Sequence, residues 1–298
     1  MAGKVRVRVI LLGCIIAILT WAAIQQHIVG RRHMEENVHI EDRPIRVTPP
    51  NKEEIAYRAL CLGALIMRGE FEQVVQDTAQ VLSDVEVREV LIKGHEELTA
   101  KLNAWLTAQG LTSHLSEREK ALFAKPLGAW TRQEIIDVSW RGESLGVLLW
   151  SLSLRPRLLG YDTQFSQDDI IKPLGLMTPV DNFLKRAKLR PVKEIARARD
   201  VAELWHWRSR TTYLQQTGDK PPEGITYAEI IEKSAEFAYK DGIISRPIKG
   251  DFPLFGKPYS ALSEMEYSVC TSIAMERHCC LNWLCGYSKD WDKTPTDT

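Results

Sequence analysis

The chain carries no surplus of charge, since 39 Lys and Arg are matched by 39 Asp and Glu in 298 residues. Non-specific binding to nucleic acid draws on excess basic charge, so that class starts without its main driving force. Several phosphate- and metal-binding signatures are also missing: there is no Gly-x-x-x-x-Gly-Lys loop, no Gly-x-Gly-x-x-Gly turn and no His-Glu-x-x-His pair. NTPase, dehydrogenase and zincin chemistry thereby lose their usual sequence support. No pair of cysteines has Cys-x-x-Cys spacing. His278-Cys279-Cys280, followed by Cys285, does crowd ligating side chains together. Successive helical residues point about 100° apart, however, whereas closed zinc sites gather ligands from separate turns or loops. Small buried thiols are expected instead, with no metal and no cofactor. Alternating strand patterns are nearly absent, apart from a Pro- and Gly-punctuated stretch from Ile243 to Tyr259 with room for a small hairpin.

What the chain does have begins with an apolar run. No charged residue falls between Arg8 and Arg31, and Val9 to Ile24 is almost wholly apolar. Those residues cover about 24 Å as a helix, and extension through Gln25-Gln26-His27 to Gly30 completes the roughly 30 Å of a bilayer core. A cleaved signal peptide lacks a good small-residue site after the run. A lipoprotein site at Leu11-Leu12-Gly13-Cys14 has too few apolar residues before Cys14. A retained signal anchor over residues 1–30 fits best. Lys4, Arg6 and Arg8 on one side nearly balance Arg31, Arg32, Arg43 and Arg46 on the other. The positive-inside rule is therefore close to a tie. A short basic N-terminus with no room to fold favours an extracytoplasmic domain, with the membrane and envelope proteins as partners.

Residues 31–50 read as a charged linker ending in Thr48-Pro49-Pro50. From Asn51 to Thr298 the chain reads as an irregular, all-α, multi-helix globular domain. Capping boxes pair a Ser, Thr, Asp or Asn with a Glu three residues on, each side chain satisfying the other's free backbone N–H. Such pairs recur at Asn51/Glu54, Ser83/Glu86, Ser116/Glu119, Thr131/Glu134, Asp200/Glu203, Thr226/Glu229 and Ser263/Glu266. They predict at least seven helices, with stops at Gly110, Gly242 and Gly286. Apolar stripes are expected at Ile135, Ser139, Gly142, Leu145, Leu149 and Leu152, and at Val87, Leu91, Leu98, Leu102 and Trp105.

Four segments carry a resemblance to a known family. Trp140-Arg141-Gly142-Glu143 within Asp137 to Ser153 is similar to that family's Trp-Arg-x-Glu helix. Arg199-Asp200 through Trp205-His206-Trp207-Arg208 resembles its second motif. Glu276-Arg277-His278 with Asn282-Trp283-Leu284, then Asp290-Trp291-Asp292 and Asp297-Thr298, resemble its closing signatures. This is the bacterial family called domain of unknown function 4272. The resemblance implies a helical fold and carries over no catalytic residue; the membrane anchor is a departure from it.

The candidate polar cluster comprises Arg277, His278, Glu276, Asp251, Asp290, Asp292, Glu143, Arg141 and Arg208. Arg277 shares an apolar helix face with Cys270, Ile273, Cys280 or Leu281, and Leu284. A buried guanidinium there needs a full set of partners, for which Glu143, Asp251, Asp290 and Asp292 are the candidates. Arg141 and Glu143 lie two apart on a helix, so each should reach a long-range partner. Such a cluster acts either as an ionic clamp that pins the C-terminal tail or as an enzyme or small-ligand site, because His titrates near neutrality. The aromatic and basic run Trp205 to Thr211 is expected to be core packing plus one ion pair, with no nucleic acid bound.

Overall fold

A computed structural model describes residues 48–81, 84–296 and 298. The proposed span and most of the linker lie outside these residues. Among the described residues there are nine α-helices and one two-stranded sheet, and no helix is long and apolar enough to cross a membrane. The described residues group into two compact units, 48–196 with 279–295, and 197–278 with 296 and 298.

The first unit is built on α1 (Lys52–Val81) and α4 (Arg132–Ser151). The Asn51/Glu54 box opens α1, and Ile55, Ala56, Leu60, Cys61, Leu62 and Leu65 behind it are buried. The Thr131/Glu134 box opens α4, in which every residue from Gly142 to Ser151 is buried. A helix enclosed on all sides is a central core helix rather than an amphipathic one. Two glycines permit close approach. A Cβ at Gly146 would stand 2.2 Å from the Phe165 ring, and one at Gly63 would stand 2.0 Å from Leu174. The expected α4 stripe needs one correction: Ser139 is exposed, and Val138 turns inward against Gly69.

Helix α2 (Val85–Ala108) starts one residue later than the Ser83/Glu86 pairing implies. Ser83 lies outside the described residues, and Asp84 accepts the Val87 amide as the cap. The expected α2 stripe is buried only at its far end, at Leu102 and Trp105, while Val87 and Leu91 are exposed. Ser116/Glu119 opens the short α3 (Glu117–Phe123). Two further short helices, α5 (Gln167–Ile171) and α6 (Asp181–Arg186), complete the helices peculiar to this unit.

The second unit contains most of α7 (Val192–Thr217), all of α8 (Tyr227–Lys240), the strands β1 (Pro253–Leu254) and β2 (Lys257–Pro258), and most of α9 (Glu264–Leu284). Thr226/Glu229 and Ser263/Glu266 open α8 and α9 as expected. Asp200 does not begin a helix. It lies inside α7, where Glu203 pairs with Arg199 one turn earlier. The real start follows Pro191, a residue suited to the first turn because its missing N–H would have no helical partner. The expected hairpin forms as two successive tight turns. Ile248 and Asp251 exchange backbone bonds around Lys249-Gly250, and Leu254 pairs with Lys257 around Phe255-Gly256. All four turn residues have positive φ, the geometry that matches strand twist in a two-residue loop.

Candidate functional site

The polar centre of the second unit is Arg208, fully buried on α7. Its Nε and Nη2 donate to the two oxygens of Asp251 at 2.7 and 2.8 Å. The amides of Phe252 and Ser260 donate to the same two oxygens. Arg208 also donates from Nη1 to Thr212 and lies over the Tyr259 ring. Burial works to raise the Asp251 carboxyl, but the Arg208 bonds and charge, with the two amides, outweigh it and hold it below the ordinary carboxylate value. With two donors on each oxygen, Asp251 is tied to Arg208 and to the hairpin backbone. Trp205 packs against Phe252 and Tyr259, so the Trp205 to Thr211 run is core plus one ion pair, as expected.

Beside this pair, His206 on α7 meets His278 on α9, with Nδ1 to Nδ1 at 3.1 Å and both rings buried. One Nδ1 donates and the other accepts, so at least one ring presents a bare nitrogen. Glu276 and Arg277 are buried on the same helix as His278, and neither is without a partner. The second unit therefore holds Arg208, Asp251, Glu276, Arg277 and His278.

The other candidates belong to the first unit. Glu143 is buried and accepts the Phe165 amide, a long-range partner of the kind expected. Arg141 is half-buried and not without a partner. Of the tail carboxylates one acts at long range and one locally. Asp292 accepts the Arg118 amide, while Asp290 accepts the Asp292 amide and pairs with Lys293. Within this unit the tail is also held by Asn282 donating to the Pro295 carbonyl and by Trp291 packed on Trp283 and under Arg58. The residues 290–295 are thus pinned chiefly by indole and amide groups.

Sequence reasoning missed three features of the first unit. Arg58 pairs with Glu119, and Arg68 pairs with Glu72 at 2.5 Å. All four side chains are buried. Neither pair was readable: Arg68 and Glu72, one turn apart, look like a solvated helix face, and Arg58 and Glu119 lie 61 residues apart on different helices. The third feature is a string. Gly142-Glu143-Ser144-Leu145-Gly146 spells Gly-x-Ser-x-Gly, the pattern of a hydrolase nucleophile elbow. An elbow needs a strained strand-to-helix turn that exposes the serine. Here Ser144 is fully buried in the middle of a regular helix, so the string has none of that geometry.

No group of three or more His, Cys, Asp or Glu among the described residues could hold a metal ion. The five described cysteines are free thiols, and Cys280 donates to the Ser144 carbonyl. The family described as Domain of unknown function (DUF4272) matches residues 25–235, well over half of the chain. The matched range ends before Glu276-Arg277-His278 and the tail motifs. No curated protein and no solved structure matches the chain.

Proposed function

The chain belongs to the DUF4272 family, and from that premise we propose that it is a binding or accessory protein held to a membrane by one N-terminal span. The anchor is formed from Val9 to Ile24, extended to Gly30, and residues 31–50 tether a helical body that faces away from the cytoplasm and meets envelope proteins. The observation that carries the non-catalytic part of this reading is the saturation of Asp251. A carboxylate that accepts four donors and is locked to a buried arginine serves as a structural tie. The observation behind the anchor is the uncharged interval between Arg8 and Arg31.

The test is membrane extraction of the full chain against a chain that begins at Arg31. Carbonate-resistant retention of the first and release of the second is the expected result; a full chain that washes free would end the anchor reading. Reporters active only outside or only inside the cytoplasm, fused after Thr298, fix the orientation.

A second reading, an enzyme or small-ligand receptor, is favoured by one observation, the buried His206–His278 contact. A proton moving between those rings would make His278, with Arg277 and Glu276 on the same helix, a working site. Imidazole signals that titrate between about pH 5 and 8 in the folded protein would support it; rings silent to pH over that interval would remove it.

A further inference from the structure

Between Asp181 and Glu194 the chain has five basic residues and no acid. Lys185 and Arg186 end α6, Lys188 and Arg190 follow in the loop, and Lys193 lies in the first turn of α7. Arg190 is committed to the fold. Its Nε donates to the Trp150 carbonyl, its Nη2 to those of Arg155 and Pro156, and its Nη1 to Glu194. The Lys188 and Arg190 amides donate to Leu152 and Ser151, which fastens the loop to the end of α4. Arg186 reaches the Pro173 carbonyl and so brings in the segment that carries Lys172. Three stretches of the first unit thereby gather Arg157, Lys172, Lys185, Arg186, Lys188 and Lys193, all exposed. Among the described residues none of the six forms an ion pair, and Arg186 meets only carbonyls. The nearby acids are engaged elsewhere. Glu194 takes Arg190, Asp169 lies 3.9 Å from Arg155, Asp168 acts on Glu70, and Asp162 accepts the Thr163 hydroxyl. Asp181 stands at the other end of α6. In a chain with no net charge, six gathered cations repel one another and favour an anionic counterpart.

We propose that this basic face lies on an anionic phospholipid surface, its cations over the phosphodiester headgroups and Leu189 and Val192 dipped among them. Val192 is 68% exposed and Leu189 38%, and both sit between basic residues of the same stretch. An aliphatic pair framed by lysines fits the headgroup boundary, where the lysine stems add apolar contact and their amines stay wet. A nucleic acid strand would draw on aromatic stacking, but Tyr161 and Phe183, the aromatics of these stretches, are buried. The chain's own N-terminal segment does not match the face either. Residues 1–47 carry seven Lys and Arg against four Asp and Glu, so their net charge has the same sign. The proposal rests on the membrane reading for a bilayer close at hand. It adds a second contact with that bilayer, made by the helical body rather than by the span.

The experiment is lysine footprinting of the full chain with lipid nanodiscs, of phosphatidylcholine alone or with roughly one third phosphatidylglycerol. Retention in the zwitterionic discs reports the span, and a chain that stays outside is footprinted with the discs added, so the two readings fail separately. We expect amine modification of Lys185, Lys188 and Lys193 to slow roughly threefold or more on the anionic discs, with Lys93 on α2 unchanged. About 0.5 M salt should erase the difference, because screening shortens the reach of these charges. Lys185→Glu/Lys188→Glu should lose the slowing at Lys193 yet melt as the parent does, since both side chains are exposed. Equal rates on the two discs would overturn the proposal. So would slowing that survives the double charge reversal, or slowing caused by duplex DNA and not by lipid. Protection in detergent alone that is relieved by Glu35→Gln/Glu36→Gln/Glu41→Gln/Asp42→Asn would also end it, by giving the face to the chain's own acidic run.

Discussion

The two units bury arginine in the same manner but depend on it differently. In the first, Arg58 and Arg68 both project from α1. Each is paired with a glutamate and covered by an indole, Trp291 and Trp130 respectively. Each also donates to a loop carbonyl, His114 or Lys125. The glutamates gather loop amides in turn: Glu119 accepts from Ser116, and Glu72 from Gly128 and Trp130. In the second unit Arg208 does the same through Asp251, the Phe252 and Ser260 amides and the Tyr259 ring. The first unit adds two core helices whose apolar contacts would survive the loss of one pair. The hairpin of the second hangs chiefly on one carboxylate. A buried ion pair is weak evidence of stability in itself. What these pairs supply is a fixed place for loops that lack an apolar face of their own.

Removing Arg208 should break this comparison most sharply. Arg208→Leu strands Asp251 in a buried site and should cost on the order of 3–5 kcal/mol in chemical denaturation. Hydrogen exchange should localise the loss to residues 248–262, and uniform loss over the chain would show that the hairpin is not the dependent part. Next in size is Gly146→Ala, which places a methyl into the Phe165 ring. Overpacking of this kind costs roughly 1–3 kcal/mol, and Phe165→Leu should recover part of it. If Gly146→Ala melts like the parent, the tight packing assigned to the first unit is wrong.

Acid should sharpen the contrast. A carboxyl held below its ordinary value contributes stability above about pH 4, and this is lost as pH falls through the folded-state value. The parent chain should therefore destabilise below about pH 4 more steeply than Asp251→Asn, as read by melting temperature against pH. The smallest effect is expected at Glu70, an acid of the first unit without an arginine. Burial, and then the charge of Asp168, raise its carboxyl above the usual value. A raised carboxyl favours the fold at low pH, and that contribution is lost as pH rises through the folded-state value. Glu70→Gln should thus raise the melting temperature slightly at pH 7 and leave it unchanged near pH 3. A fall at pH 7 would show that Glu70 has a partner.

Helix starts were legible where the signal is local. Asn51, Ser116, Thr131, Thr226 and Ser263 each cap a helix through a glutamate three residues away, and no distant residue can alter that bond. Asp200/Glu203 shows the limit, because identical spacing inside a helix looks the same until Arg199 claims the glutamate. The exposed half of the α2 stripe shows another. Periodicity tells which residues share a face, not whether an element exists to cover it. For the candidate site, Arg208 and Asp251 could each be named, but their pairing spans 43 residues and depends on where the hairpin folds. Ser144 reverses the case: its motif is legible, and the unbroken helix around it removes the meaning.

The fate of the cysteines has a practical consequence for chemical labelling. Burial pushes the Cys61 thiol up to about 12, and Cys270 and Cys280 are also buried. Cys279 and Cys285 alone among the described thiols are partly open to solvent. Toward a maleimide at neutral pH the folded body should behave as a two-thiol protein. In a chain that begins at Arg31, and so lacks Cys14, a dye or spin label therefore reports from the end of α9, beside the pinned tail, and a third equivalent taken up marks the opening of the core.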